Sequence, residues 1–185
     1  MVPAVDSAGA YDITGGNYVS YIQAQQEHRA NLDIFAEGSV MEPGTQGIYT
    51  LPDSPVATLA DLKSQTIAIN APDNILFLLT ASVLAEHGVS PSSVHFASIP
   101  FPEMPDELKS AAVSAAVMPE PALFGVSAET AAVMALDAYP VSTGPVGSVD
   151  KIRLQRVVDV MQRFLGFGKF DIGSMLMGSA SSTGD

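Results

Sequence analysis

The sequence predicts an α/β protein built on parallel strand pairings, and three observations carry that prediction. Short runs of β-branched and apolar residues alternate with longer helical patterns. A small polar corner joins strand to helix twice, as "YDITGGNYVSYIQ" and as "IAINAPDNILFLL". Proline or glycine closes most segments, as connections in an α/β fold require.

Taken in order, residues 11–14 read as a short strand, followed by Gly15-Gly16-Asn17. An amphipathic helix over 18–30 has Tyr18, Tyr21 and Ile22 on one side. Residues 32–36 read as a strand, 38–47 are rich in turn formers, and 48–51 run extended up to Pro52. Thr58 caps a short helix over 59–63. The run 66–70 is a buried strand, since apolar and β-branched residues dominate and a turn signal follows at once. Asp73 or Asn74 caps the next helix, which runs to about His87, where Gly88 supplies a left-handed stop.

After the loop "VSPSSV", residues 95–99 form a strand. Pro102 and Pro105 introduce a short helix to about Ser110, with Pro105 suited to its first turn. Residues 115–118 form a further strand, closed by Pro119-Glu120-Pro121. Residues 127–135 read as helix and 139–147 as a Pro/Gly/Ser linker. Ser148 then caps a long helix with the stripe Leu154, Val157, Val158, Met161 and Leu165. The tail "GSASSTGD" is low-complexity and expected to be disordered.

Composition narrows the function. Hydrophobic residues make up 47% and charged residues 15% of the 185, a globular balance. No apolar run approaches the roughly 18–20 residues of a membrane span. The formal net charge of −12 argues against nucleic acid as a partner, because a phosphate backbone demands a basic face. Five of the eight basic residues (Lys151, Arg153, Arg156, Arg163, Lys169) alternate with apolar ones near the C-terminus, which reads first as a solvated helix face. Without cysteine there is no disulfide, thiol chemistry or thiolate metal site. The N-terminal stretch has neither the basic nor the apolar region of a secretory signal, and opening so near a strand suggests a missing upstream segment.

No catalytic set assembles. The histidines at 28, 87 and 95 lack metal-ligand spacing, and no GxSxG elbow or phosphate-binding fingerprint is present. The expectation is therefore no catalytic residue, no metal and no cofactor. In open α/β sheets ligands sit beyond the carboxyl ends of strands, against helix N-termini. That makes Gly15, Gly16 and Asn17 one candidate ligand-binding corner and Ala71, Asp73 and Asn74 another. Glu120, stiffened by its flanking prolines, is a third candidate. Each has a plain structural alternative: a glycine turn, a helix cap and a surface turn, respectively.

The block from Thr58 to Pro121 resembles the nitrate/sulfonate/taurine-type solute-binding proteins of ABC importers, a group that includes thiamine-precursor binders. The resemblance rests on Asp61-Leu62-Lys63, the strand at 66–70, the corner 71–74, the "GxxPxxV" stretch 88–94, residues 108–115 and Glu120. "YDITGGNYVSYIQAQ" is similar to a first-lobe stretch of the same family. The resemblance implies a periplasmic-binding-protein-like (type II) two-lobe fold, truncated here to one nearly complete lobe plus parts of the other. Its boundaries would be 1–46 (partial first lobe), 47–122 (second α/β lobe), 123–178 (C-terminal helical segment) and 179–185 (tail).

It further implies a small anion, sulfonate-like or heterocyclic ligand in an inter-lobe cleft, an ABC permease as partner, and an extracytoplasmic location. The polar wall would come from the Ile75 and Leu76 N–H groups with the Asn74 and Asn17 side chains. An enzyme of the same fold, pyrimidine-precursor synthase-like, or a regulator's effector-sensing domain are the alternatives. Two departures stand out: Ser64 and Ala111 replace family glycines, at on the order of 1 kcal/mol each where a left-handed backbone is needed. Missing partners for the first-lobe fragments would leave apolar surface open to self-association.

Overall fold

Alternation along the strands decides which way the central sheet faces. The structure, a computed structural model, describes residues 12–36, 46–119, 132–135 and 149–176. Its strands are β1 (Gln46–Thr50), β2 (Thr66–Ile69), β3 (His95–Ser98), β4 (Ala115–Pro119) and β5 (Ala132–Ala135). Its α-helices are α1 (Tyr18–Gln26), α2 (Ile75–Glu86), α3 (Met104–Lys109) and α4 (Lys151–Leu165). The chain divides into two compact units, Met41–Val141 and the combination of Met1–Val40 with Ser142–Asp185.

The Met41–Val141 unit is built on one sheet in the order β3-β2-β4-β1-β5. Strand β2 runs parallel to β3 and β4, whereas β1 is antiparallel to β4 and β5. The expected strands at 66–70, 95–99 and 115–118 thus share one sheet. Because strand side chains alternate, β1, β2 and β4 each feed two cores. Ile48, Ile67, Ile69, Ala115 and Val117 join Leu76, Leu79 and Leu84 of α2 in one cluster. Tyr49, Ala68, Ala116 and Met118 join Met104 and Leu108 of α3 in the other. Each large side chain so buried contributes about 1.5–3 kcal/mol. The result is helix, sheet, helix.

Helix α2 is apolar all round and is buried accordingly, from Leu76 and Leu78 through Leu84. Its buried Thr80 hydroxyl donates to the Leu76 carbonyl at 2.8 Å, so burial leaves no orphan there. Asn74 caps its start, and Gly88 at φ +73 turns the chain away after His87. The open choice between Asp73 and Asn74 falls to Asn74. At residues 59–62 the expected short helix is a 3-10 turn. The Asp61 carboxylate there accepts from the Thr58 hydroxyl at 2.7 Å and the Thr58 N–H at 2.8 Å.

Ser64 and Ala111, the positions where the resembled family carries glycine, stand at φ +61 and +57. Each precedes a strand, and the neighbouring hydrogen bonds hold the turns. Ser64 N–H donates to the Ser93 carbonyl at 2.7 Å, and Ser114 Oγ donates to Gln65 Oε1 at 2.7 Å.

In the other unit α1 packs on α4. Val19, Ile22 and Ala24 of α1 are buried, as are Leu154, Val158 and Met161 of α4. Of the three residues expected on one side of this helix, Ile22 is buried and Tyr18 and Tyr21 are half-buried. Helix α1 ends at Gln26, short of the expected residue 30. His28 adopts φ +55 there, and Arg29 N–H turns back to the Ala24 carbonyl at 2.8 Å. Helix α4 starts on Asp150, whose Oδ1 accepts from the Ile152 and Arg153 N–H groups at 2.8 and 3.2 Å. The expected cap, Ser148, lies outside the described residues and two positions too early.

Three further expectations are corrected. Residues 12–14 pair with no strand among the described residues, and without a ladder partner they run as irregular chain. Residues 32–36 form no strand. They contribute one parallel bridge, Ile34 to Leu176, in which Ile34 N–H donates to the Met175 carbonyl at 2.6 Å. Residues 132–135, within the helix expected over 127–135, are strand β5, because pairing along the whole of Gly47 to Thr50 on β1 overrides local helix propensity. Ile13, Phe35 and Ile152 are the exposed large apolar side chains of the described residues, and all three belong to the unit made of Met1–Val40 and Ser142–Asp185. Among the described residues no helix is long and apolar enough to cross a membrane.

Candidate functional site

The corner after β2 is assembled by two asparagines. Asn74 lies at φ −109 and ψ −174, an extended cap conformation, and its Oδ1 accepts from the Leu76 and Phe77 N–H groups at 3.0 and 3.2 Å. Its Nδ2 turns the other way and donates to Asn70 Oδ1 at 2.7 Å. Asn70, at the carboxyl end of β2, was not among the candidates. The signal was present, since an amide four residues before a cap can reach it, but Asn70 reads as the end of an apolar strand.

The Asn74 amide is thus engaged on both sides, and Leu76 N–H, expected in the polar wall, is already bonded. Ile75 N–H donates to no acceptor among the described residues and is one of the donors this corner offers. Asp73 is exposed at φ +56, a left-handed position that aspartate tolerates better than most residues. Ala71 is half-buried beside it. Ala71, Asp73 and Asn74 therefore share one tight turn at the N-terminus of a twelve-residue helix. Such an end carries unsatisfied donors and a partial positive charge, suited to an anion or a polar acceptor.

The corner before α1 is simpler. Asn17 Oδ1 accepts from the Ser20 N–H at 3.0 Å and the Ser20 hydroxyl at 3.3 Å, capping α1. A Cβ on Gly16 would collide with the Tyr21 ring, whose Cζ would stand 2.8 Å away. Any side chain at Gly16 would therefore make the Tyr21 ring shift, and with it the Tyr21 hydroxyl that lies 3.4 Å from Thr14 Oγ1. A Cβ on Gly15 would meet open space. Glu120 lies outside the described residues. Among the described residues no group of three or more acidic or histidine side chains is placed to hold a metal ion.

A mixed sheet with parallel β2 at its heart, helices on both faces and an asparagine-capped corner at the strand end belong to the periplasmic-binding-protein-like class of α/β folds. The chain belongs to the NMT1/THI5-like family, whose model matches residues 8–154. Solved structures bear out the fold. The periplasmic aliphatic sulphonate binding protein SsuA from Escherichia coli superposes with a TM-score of 0.61 at 17% identity, over 88% of this chain and 55% of that one. The alkanesulfonate-binding protein SsuA from Xanthomonas axonopodis pv. citri, bound to MOPS, gives 0.60 at 20% identity over 89% and 56%. The ligand-binding component of an ABC-type import system from Staphylococcus aureus, with zinc bound, gives 0.67 at 12% identity over 97% and 82%. The chain thus spans about half the length of the two SsuA proteins. No curated protein matches the sequence.

Proposed function

We propose that the chain recognises a small solute, as part of an extracytoplasmic binding component of an ABC importer, and does no chemistry on it. The ligand class is a small anion, a sulfonate-like compound or a heterocyclic precursor. The observation that carries this reading is the Ile75 N–H, an unengaged donor at the N-terminus of α2 and the carboxyl end of a parallel strand. Family membership and the binding proteins among the structural relatives support binding over catalysis, and support a permease as the partner. Ala71, Asp73 and Asn74 are the proposed contacts in one unit, and Gly15, Gly16 and Asn17 in the other. Glu120 is retained as a proposed contact.

Calorimetry with methanesulfonate, 2-aminoethanesulfonate, nitrate and an aminopyrimidine tests the class. Saturable binding of one of them is expected, and no binding of any at millimolar concentration would end the reading. Ile75→Pro then tests the corner. Proline is tolerated at the first helical position, and the extended Asn74 backbone suits the residue before it. The variant removes only the donor and some side-chain volume. A hydrogen bond to a charged ligand is worth about 1.5–3 kcal/mol, so affinity should fall about tenfold or more. Ile75→Val, which keeps the N–H, should bind normally.

A further inference from the structure

Two buried side-chain oxygens have no hydrogen-bond partner among the described residues, Gln26 Oε1 and Gln46 Oε1. A buried acceptor left unsatisfied destabilises the fold, so each one calls for a reason. Gln26 is the last residue of α1. Gln46 opens β1, in the unit that also holds the Asn74 corner. Its side chain is half-buried, with the oxygen wholly covered.

Strand pairing fixes where Gln46 stands. It lies opposite Pro119, the last residue of β4. Strand β4 runs parallel to β2 with Ala115 and Ala116 level with Ile67 and Ala68, and continuing that register brings Pro119 level with Ala71. Gln46 is therefore at the carboxyl edge of β2, two strand spacings from Ala71, or roughly 9.5 Å. Alternation fixes its face. Ile48, two residues on, packs in the cluster that holds Leu76 and Leu79 of α2, and Val117 of β4 does the same. Gln46 thus faces the side of the sheet that α2 covers. Its cross-strand neighbour adds no donor, because proline has neither an N–H nor a polar side chain.

We propose that Gln46 is a specificity-determining residue of the solute site, whose amide turns out to accept a hydrogen bond from an N–H of the bound solute. This rests on the solute-binding reading above and narrows its ligand class. Ile75 N–H offers a donor at the corner, and Gln46 offers an acceptor across the same edge. The solute that fits carries an acceptor at one end and an N–H a few bonds away. Binding then satisfies an oxygen that the free protein leaves orphaned, a gain that only a donor-bearing solute provides.

Calorimetry on the whole chain tests this with two pairs: 2-aminoethanesulfonate against ethanesulfonate, and an aminopyrimidine against its dimethylamino derivative. Within the pair that binds, the member with the N–H should bind at least about tenfold tighter. Gln46→Met, close in volume and without the amide, should erase most of that preference and leave the other member's affinity unchanged. Its melting temperature should rise by about 2–4 °C, because the orphaned oxygen is gone. Gln46→Glu keeps an acceptor and should keep the preference. Equal binding within a pair, binding of nitrate alone, a preference that survives Gln46→Met, or an equal loss of both members would each overturn the assignment of Gln46 while leaving solute binding in place. If none of these compounds binds, nitrate included, the solute reading falls with it.

Discussion

The two units bury their apolar residues in different ways. In the Met41–Val141 unit the sheet sends alternate side chains into two cores, and none of the exposed large apolar residues among the described residues falls there. The other unit has helix-on-helix packing and, among the described residues, a single strand bridge, and leaves Ile13, Phe35 and Ile152 in the open. A sheet gives every interior residue a prescribed face, whereas two helices cover only the stripe where they meet. Burial in the first unit follows from topology, and in the second from a few caps and contacts.

Breaking that comparison starts with the core. Ile67→Ala, at a fully buried central position of β2, should cost about 2–5 kcal/mol in urea unfolding. Ile152→Ala should change stability by no more than about 0.5 kcal/mol. Comparable losses at both positions would mean that Ile152 is covered after all.

Next come the caps, one for each unit. Asn74→Ala and Asp150→Ala should each cost about 1 kcal/mol, since each strips a side-chain acceptor from two backbone donors. Hydrogen exchange should localise the loss to α2 in the first and α4 in the second. A melting temperature unchanged by either would show that the helix start is held by packing alone.

Ser64→Gly and Ala111→Gly should stabilise by on the order of 0.5–1 kcal/mol each. Glycine relieves the left-handed strain at φ +61 and +57 but adds freedom to the unfolded chain. A loss of stability from both would mean that the unfolded-chain term outweighs the strain.

The smallest effect is in acid. Burial pushes Asp150 upward, but the Arg153 and Ile152 N–H groups and the Arg153 guanidinium bring it below the ordinary aspartate value. Asp61 is lowered too, first by the Thr58 hydroxyl and then by its N–H. A carboxylate depressed in the fold stabilises above its unfolded value and loses that contribution as pH falls through the folded one. Unfolding free energy should thus drop below about pH 4. Asp150→Asn should flatten the drop by under about 1 kcal/mol, given the partly exposed Arg153 pair. An identical acid profile for that variant would count against the assignment.

Much of the sheet unit was legible in the sequence because its signals are local. The runs at 66–69, 95–98 and 115–119 are short, apolar and closed by turn residues, and Asn74 and Gly88 mark one helix at both ends. Strand β5 was not legible. Its "AVMA" carries no strand-specific signal, and only the distant partner β1 makes it a strand. Asp150 was missed for Ser148 because two good caps lay within three residues and only geometry chooses. At the candidate corner the residue types were readable, but which N–H groups Asn74 already engages was not, since Asn70 decides how its amide faces.

The strand order carries a last consequence, for synthesis on the ribosome. Strand β1 is made first in its sheet, yet it pairs with β4, whose residues follow about seventy positions later, and then with β5. Strands β2 and β3 lie only about thirty positions apart and pair directly. While translation continues, the emerging chain therefore carries β1 with both edges unpaired. The other unit waits longer still, since its bridge from Ile34 to Leu176 spans nearly the whole chain. Exposed strand edges are where nascent chains aggregate, so slower elongation or a missing chaperone should harm this protein through residues 46–50 before any other strand.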